Sequence, residues 1–184
     1  ALILDHRTGH THDYRRRSGV IFDQLIGWSG SRSDLWNQAE LSERRRDSCT
    51  AKEYEIALPS ELNRVDQITL ASNYAVWLRD RHGIAVDMCI HRAHDYGDQR
   101  NVHAHLLCTT RPVRRQKLGA TKAMIEWSDA KRRDHGLPKA KLELNRVRKQ
   151  WAEMVNEALA DVDSTERVDH RSYEDRGIEL IPQP

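Results

Sequence analysis

Hydrophobic and polar positions alternate most clearly between residues 51 and 58, where Tyr54, Ile56 and Leu58 stand against Glu53, Glu55 and Ala57. A period of two belongs to a half-buried strand, so 51–58 is predicted as a strand that Pro59 ends. The period then lengthens. From 63 to 81 Val65, Ile68, Ala71, Ala75 and Leu78 fall on one helical stripe, and Gly83 supplies a stop. Two further strands read over 84–91 and 102–110, separated by a polar loop over 92–100 that contains Gly97, and residues 19–26 offer another. Helices are predicted over 33–47 with Ser33 as N-cap, over 122–131, and over 142–159. In the last of these Leu144, Val147, Trp151, Met154, Val155 and Ala158 make an apolar face, while Arg146, Arg148 and Lys149 point elsewhere. Gly136, Leu137 and Pro138 break the chain between the last two helices, Ser172 and Asp175 resemble a short capping box, and Pro182 and Pro184 look like an exit. No internal repeat or low-complexity tract interrupts this pattern. The expected fold is α+β: an antiparallel sheet with helices packed on one face, in a single domain over 1–184 whose residues 139–184 form a helical C-terminal part.

Composition narrows the class. A chain of 184 residues, 38% apolar and 32% charged, can enclose one core. Its mean hydropathy is -0.80, and no apolar run approaches the length of a membrane-spanning helix. The start, Ala1-Leu2-Ile3-Leu4-Asp5, has neither an initiator Met nor the regions of a signal peptide, and reads as a chain entered partway. Cys49, Cys89 and Cys108 are odd in number and lack CxxC spacing, which points to reduced, buried thiols in a cytosolic protein.

Charge is nearly balanced overall, with 30 Lys or Arg against 28 Asp or Glu for a net +2. Resolved along the chain it is not. Residues 100–150 hold 14 Lys or Arg against 4 Asp or Glu, an excess of +10, which leaves -8 for the rest. Such asymmetry points to an electropositive surface for a polyanion.

The chemical signal lies between His91 and His105. His103 and His105, two apart on a strand, project from one face about 7 Å apart, where one metal ion can meet both. His91 ends the preceding strand, so a hairpin-like return brings a third imidazole alongside. His94, within the loop, competes for that place, and His91 is preferred because its strand fixes its direction. Three neutral imidazoles with open positions form a catalytic rather than a closed metal site. Glu53 and Glu55 share a strand face, and either can accept the second ring N–H of a ligand histidine, fixing its tautomer. Cys89 and Cys108 read as packing residues.

The runs Cys89-Ile90-His91 and Asn101-Val102-His103-Ala104-His105-Leu106-Leu107 resemble the three-histidine motif of HUH-class conjugative relaxases, specifically the MobA/MobL mobilization family. Arg7-Thr8-Gly9-His10-Thr11-His12-Asp13-Tyr14, Ser18-Gly19-Val20, the segment from Glu53 to Pro59, and Val168-Asp169-His170-Arg171-Ser172-Tyr173 extend the likeness over nearly the whole chain. Val102 departs from the family's usual Pro. The resemblance implies nicking and rejoining of single-stranded plasmid DNA at the origin of transfer through a 5'-phosphotyrosyl intermediate. It places the nucleophilic tyrosine upstream of Ala1, so Tyr14 does not take that role. It also implies a divalent metal on His91, His103 and His105, with Mg2+ or Mn2+ in use and Zn2+ or another transition metal open by ligand type.

Arg111, Arg114, Arg115, Lys117 and Lys122, with Arg15, Arg16 and Arg17, are the candidates for phosphate contacts, and Arg44-Arg45-Arg46 is a weaker one. Trp127 offers a stacking surface, although for Trp127 and Trp151 the core is the expected place. The partners implied are origin DNA, accessory mobilization proteins and a coupling protein, in the bacterial cytoplasm. Two rival readings stand beside this one. An HUH replication initiator or transposase would use Tyr173, and a non-catalytic DNA-binding module would keep the histidines for structure.

Overall fold

The computed structural model describes residues 2–13, 19–45, 47–93 and 96–179. Candidates Tyr14, Arg15, Arg16, Arg17, Arg46 and His94, and the closing Pro182 and Pro184, lie outside them. The chain divides into two compact units, Ala1–Trp127 and Ser128–Pro184.

In the first unit a short hairpin, β1 (Leu2–Leu4) and β2 (Thr11–Asp13), precedes β3 (Val20–Ile26) and α1 (Arg32–Leu41). Then come β4 (Ala51–Ala57), α2 (Arg64–His82), β5 (Val86–His91), β6 (His103–Thr109) and a small hairpin of β7 (Val113–Arg114) and β8 (Lys117–Leu118). Strands β3, β5, β6 and β4 form, in that order, one antiparallel sheet. The four sheet strands match the predicted ones to within a residue or two. The hairpin β1–β2 carries too few residues for a period to show.

Alternation sorts the sheet into two faces. Val86, Met88 and Ile90 of β5 and Ala104, Leu106 and Cys108 of β6 are buried, with Ile56 of β4 and Ile26 of β3. Helix α2 covers β5 and β3 and contributes Leu70, Ala71, Tyr74, Ala75 and Leu78 to this core. Each Val, Leu, Ile or Met side chain among these, taken fully from water, contributes about 2 kcal/mol. Asn63 caps α2 by accepting from the amides of Val65 and Asp66, and Gly83 ends it at φ 66, a left-handed conformation that glycine adopts without strain. Val65 is 71% exposed rather than part of the stripe, because the Gln67 amide takes the buried place in the first turn and donates to the Pro59 carbonyl at 2.9 Å.

Helix α1 is shorter than predicted and begins earlier. Ser31, not Ser33, is its N-cap, in a capping box with Asp34, and the helix ends at Leu41. Glu43 leaves the helix because Arg111 and Lys122 hold its carboxylate at 2.8 and 2.7 Å. Asn37 of α1 donates to the Leu4 carbonyl and accepts from the His6 amide, tying the β1–β2 hairpin to the helix. Arg32 and Trp36 reach from α1 to Asp87, on the sheet face opposite α2.

The predicted helix over 122–131 is instead a 3-10 turn, Met124–Glu126, followed after Trp127 by α3 (Asp129–Asp134) of the second unit, because Ser128 caps a new start by accepting from the Lys131 amide. Trp127 is half-buried and donates to the Lys122 carbonyl at 3.0 Å. In the second unit α4 (Ala140–Asp161) extends the predicted helix by two residues at each end. Val147, Ala152, Val155 and Leu159 are its buried apolar residues, whereas Leu144 is 38% exposed and Glu143 takes the inward place, with Arg146 beside it at 3.7 Å. The Asn156 amide donates to the Val168 carbonyl and its oxygen accepts from the Val168 amide, which fastens the following segment to α4. Ser172 and Asp175 pair reciprocally around a second 3-10 turn, Glu174–Arg176.

Candidate functional site

The residues that alternate away from α2 make the site. In β5 these are Asp87, Cys89 and His91, in β6 His103, His105 and Leu107, and in β4 Glu53, Glu55 and Ala57. Register aligns them in rows across the sheet. His91 lies opposite His103, whose other neighbour is Ala57. Cys89 lies opposite His105, which faces Glu55, and Asp87 lies opposite Leu107, which faces Glu53.

The three imidazoles cluster. His91 and His103 are stacked with ring centroids 5.8 Å apart, and the His105 ring stands edge-on to each at 5.1 Å. The rings of His103 and His105 are therefore closer than their spacing along the strand, because they lean together. Among the described residues, Glu55, His103 and His105 have metal-ligating atoms within 4.8 Å of one another. Glu55, expected behind the histidines, belongs to this group because the register sets it opposite His105, whereas His91, the expected third ligand, meets the group by ring contact and is not one of these three.

Glu53 has the outer place. Its Oε1 lies 2.7 Å from His105 Nδ1, and the Asn101 carbonyl lies 3.2 Å from His103 Nδ1. An oxygen acceptor at each Nδ1 favours, in a neutral ring, the tautomer that leaves an Nε2 lone pair for a cation. Two or three imidazoles and a carboxylate at a solvent-open face suit a divalent cation that keeps positions for substrate oxygens.

The cysteines divide. Cys108 is buried, and burial pushes its thiol up to about 12. Cys89, half-buried on the histidine face, is also raised by burial and by Asp23, so both are protonated thiols at neutral pH. Cys49 is exposed, contrary to expectation, because it precedes β4 at the edge of the sheet.

The basic candidates also separate. Arg114, Arg115 and Lys117 are exposed on the β7–β8 hairpin. Arg111 is only 12% exposed and donates to Glu43 and to the Gly119 and Ala120 carbonyls, while Lys122 donates to Glu43, Thr110 and the Cys49 carbonyl. The hydrogen bond from Arg111, helped by Lys122, holds the Glu43 carboxyl down at about 2. Sequence reasoning missed this knot, since its three members are far apart in the chain. In the second unit Tyr173 is 51% exposed with the Arg176 guanidinium over its ring at 5.6 Å.

An antiparallel sheet backed by a helix, with histidines and glutamates gathered on its open face, defines an α+β protein built around a candidate metal centre. The chain belongs to the MobA/MobL family, whose model matches residues 1–184. Mobilization protein MobL of Acidithiobacillus ferridurans is 33% identical over 98% of this chain and 53% of its own length. Mobilization protein A of Escherichia coli is 32% identical over 82% of this chain and 21% of its own length. A solved structure described as the molecular basis of vancomycin resistance transfer in Staphylococcus aureus superposes with a TM-score of 0.71 at 25% identity, covering 94% of this chain and 86% of that one. The chain thus spans about half the length of the MobL relative and about a fifth of the Escherichia coli one. Among the described residues no helix is long and apolar enough to cross a membrane.

Proposed function

We propose that this chain is a relaxase domain that nicks one DNA strand at a plasmid origin of transfer and rejoins it after transfer. The supporting observation is the convergence of His91, His103, His105 and Glu55 on the open sheet face of a MobA/MobL chain. In this reaction a tyrosine oxygen attacks the scissile phosphorus and the bond to the 3' oxygen breaks. A 5'-phosphotyrosyl link and a free 3'-OH result, so the bond energy is kept and reversal needs no nucleotide. The attacking tyrosine is the one that the family resemblance places upstream of Ala1.

His103 and His105 would hold the divalent cation through Nε2, with His91 and Glu55 as the further ligands, and Glu53 would keep His105 in its tautomer. When bound, that cation supplies Lewis-acid neutralisation of the phosphate oxygens. Mg2+ or Mn2+ suits the oxygen donors, and Zn2+ the imidazoles. Exposed Arg114, Arg115 and Lys117, together with Arg15, Arg16 and Arg17, would neutralise phosphates along the strand, while Arg111 and Lys122 are taken up by Glu43. Accessory mobilization proteins and a coupling protein complete the proposed partners, in the bacterial cytoplasm.

The test is incubation of the protein, carrying its upstream tyrosine, with single-stranded origin DNA and Mn2+. A covalent protein–DNA adduct is expected, and His103→Ala should bind the DNA without forming it. Intact binding with no adduct from the unsubstituted protein would leave a DNA-binding module and refute the nicking reaction.

A further inference from the structure

The loop joining β5 to β6 carries an aromatic side chain that the core does not use. Tyr96 is 96% exposed, more than any other large apolar or aromatic residue described. It follows His91 by five residues, so its Cα lies within about 17 Å of that histidine's. The segment after it is braced. Arg100 forks onto Asp98 with contacts of 3.0 and 2.7 Å, the Arg100 amide donates to the same carboxylate at 3.0 Å, and the Asn101 amide donates to the Asp98 carbonyl at 2.9 Å. The Gln99 side-chain Nε2 donates to the Gly97 carbonyl at 3.1 Å. Tyr96 is thus presented from a held turn, with exposed Arg92 and Arg100 on either side of it along the chain.

An exposed aromatic ring with a cation near it in the chain, here Arg92, since Arg100 is paired with Asp98, can receive single-stranded nucleic acid, the ring stacking on a base while the cation meets the backbone. Position selects the segment it can reach. A strand whose phosphate lies at the histidine cluster comes within reach of Tyr96, which follows the cluster's His91 by only five residues. We propose that Tyr96 stacks on an unpaired base of the bound strand beside the phosphate held at the histidine cluster, and so positions that phosphate. The proposal rests on the reading of the domain as one that binds single-stranded DNA.

Stacking needs an unpaired base, which separates it from a contact to phosphates alone. The experiment measures binding of a single-stranded oligonucleotide of about 16 nucleotides carrying 2-aminopurine, and of the same strand annealed to its complement. Tyr96→Ala should weaken single-strand binding about tenfold and relieve the 2-aminopurine quenching. It should leave duplex binding and the salt slope unchanged, since no charge is removed. Tyr96→Phe should bind as the unsubstituted protein does. So exposed a side chain can be removed without disturbing the core, and the far-ultraviolet circular dichroism of both variants checks this. Equal single-strand affinity in Tyr96→Ala, or equal losses on single strand and duplex, would overturn the stacking role while leaving the domain's function intact. Failure of the unsubstituted protein to bind the single strand would overturn both.

Discussion

Glu53 and Glu55 differ by two positions and share a strand face, yet the register gives them different work. Glu55 faces His105 and joins the group of atoms placed to ligate a metal, whereas Glu53 reaches the His105 Nδ1. Glu53→Gln should therefore weaken Mn2+ binding about tenfold while sparing the site, because only the orientation and basicity of His105 are lost. Glu55→Ala removes a donor outright and should weaken it more. His103→Ala should abolish it. Titration calorimetry on the DNA-free protein reads all three, and full Mn2+ affinity in His103→Ala would rule out the histidine cluster as the binding site.

Among the elements, the β7–β8 hairpin departs most from its local preferences. Its turn residues Arg115 and Gln116 have φ of 49 and 60, the left-handed region in which L-residues other than Asn, Asp and Gly are strained. Gln116 has a compensation, since its side-chain oxygen accepts from the Ser29 amide at 2.7 Å. Arg115→Asn keeps that bond and relieves one strained position, so it should stabilise the fold by about 1 kcal/mol and raise the Tm by roughly 3 °C. Helix α1 offers the opposite case. Removing its cap with Ser31→Ala should cost about 1 kcal/mol, read as a lower denaturant midpoint at unchanged slope.

At the scale of the whole molecule, the Glu43 knot contributes to acid stability. The carboxyl titrates at about 2 in the folded protein against 4.5 ordinarily, so its stabilisation is complete above pH 4.5 and is lost as pH falls towards 2. Denaturant midpoints measured from pH 6 down should fall across that window. Glu43→Gln should remove this contribution to the slope and cost on the order of 3 kcal/mol at neutral pH, because Arg111 and Lys122 lose the carboxylate that neutralises them. The +10 segment acts at the same scale. Neutralising exposed Arg114, Arg115 or Lys117 should lower the salt slope of DNA binding by about one for each phosphate left without its cation.

The order of elements, the two faces of the sheet and the nearness of His91, His103 and His105 are all readable from periodicity. A strand's side chains alternate by necessity, and a hairpin returns to its neighbour whatever surrounds it. Boundaries set by competing caps are not readable in this way: Ser31 outcompetes Ser33, and Ser128 starts a new helix where the pattern predicts one continuous helix. Cys49, Val65 and Leu144 are placed inside by pattern and moved outward by packing. Tertiary structure alone decided that β4 pairs with β6 rather than β5, which set Glu55 beside His105, and that Arg111 and Lys122 close on Glu43. Local periodicity records which way a side chain points. Which distant side chain it meets depends on strand order and register, and those are settled by burying the whole core at once.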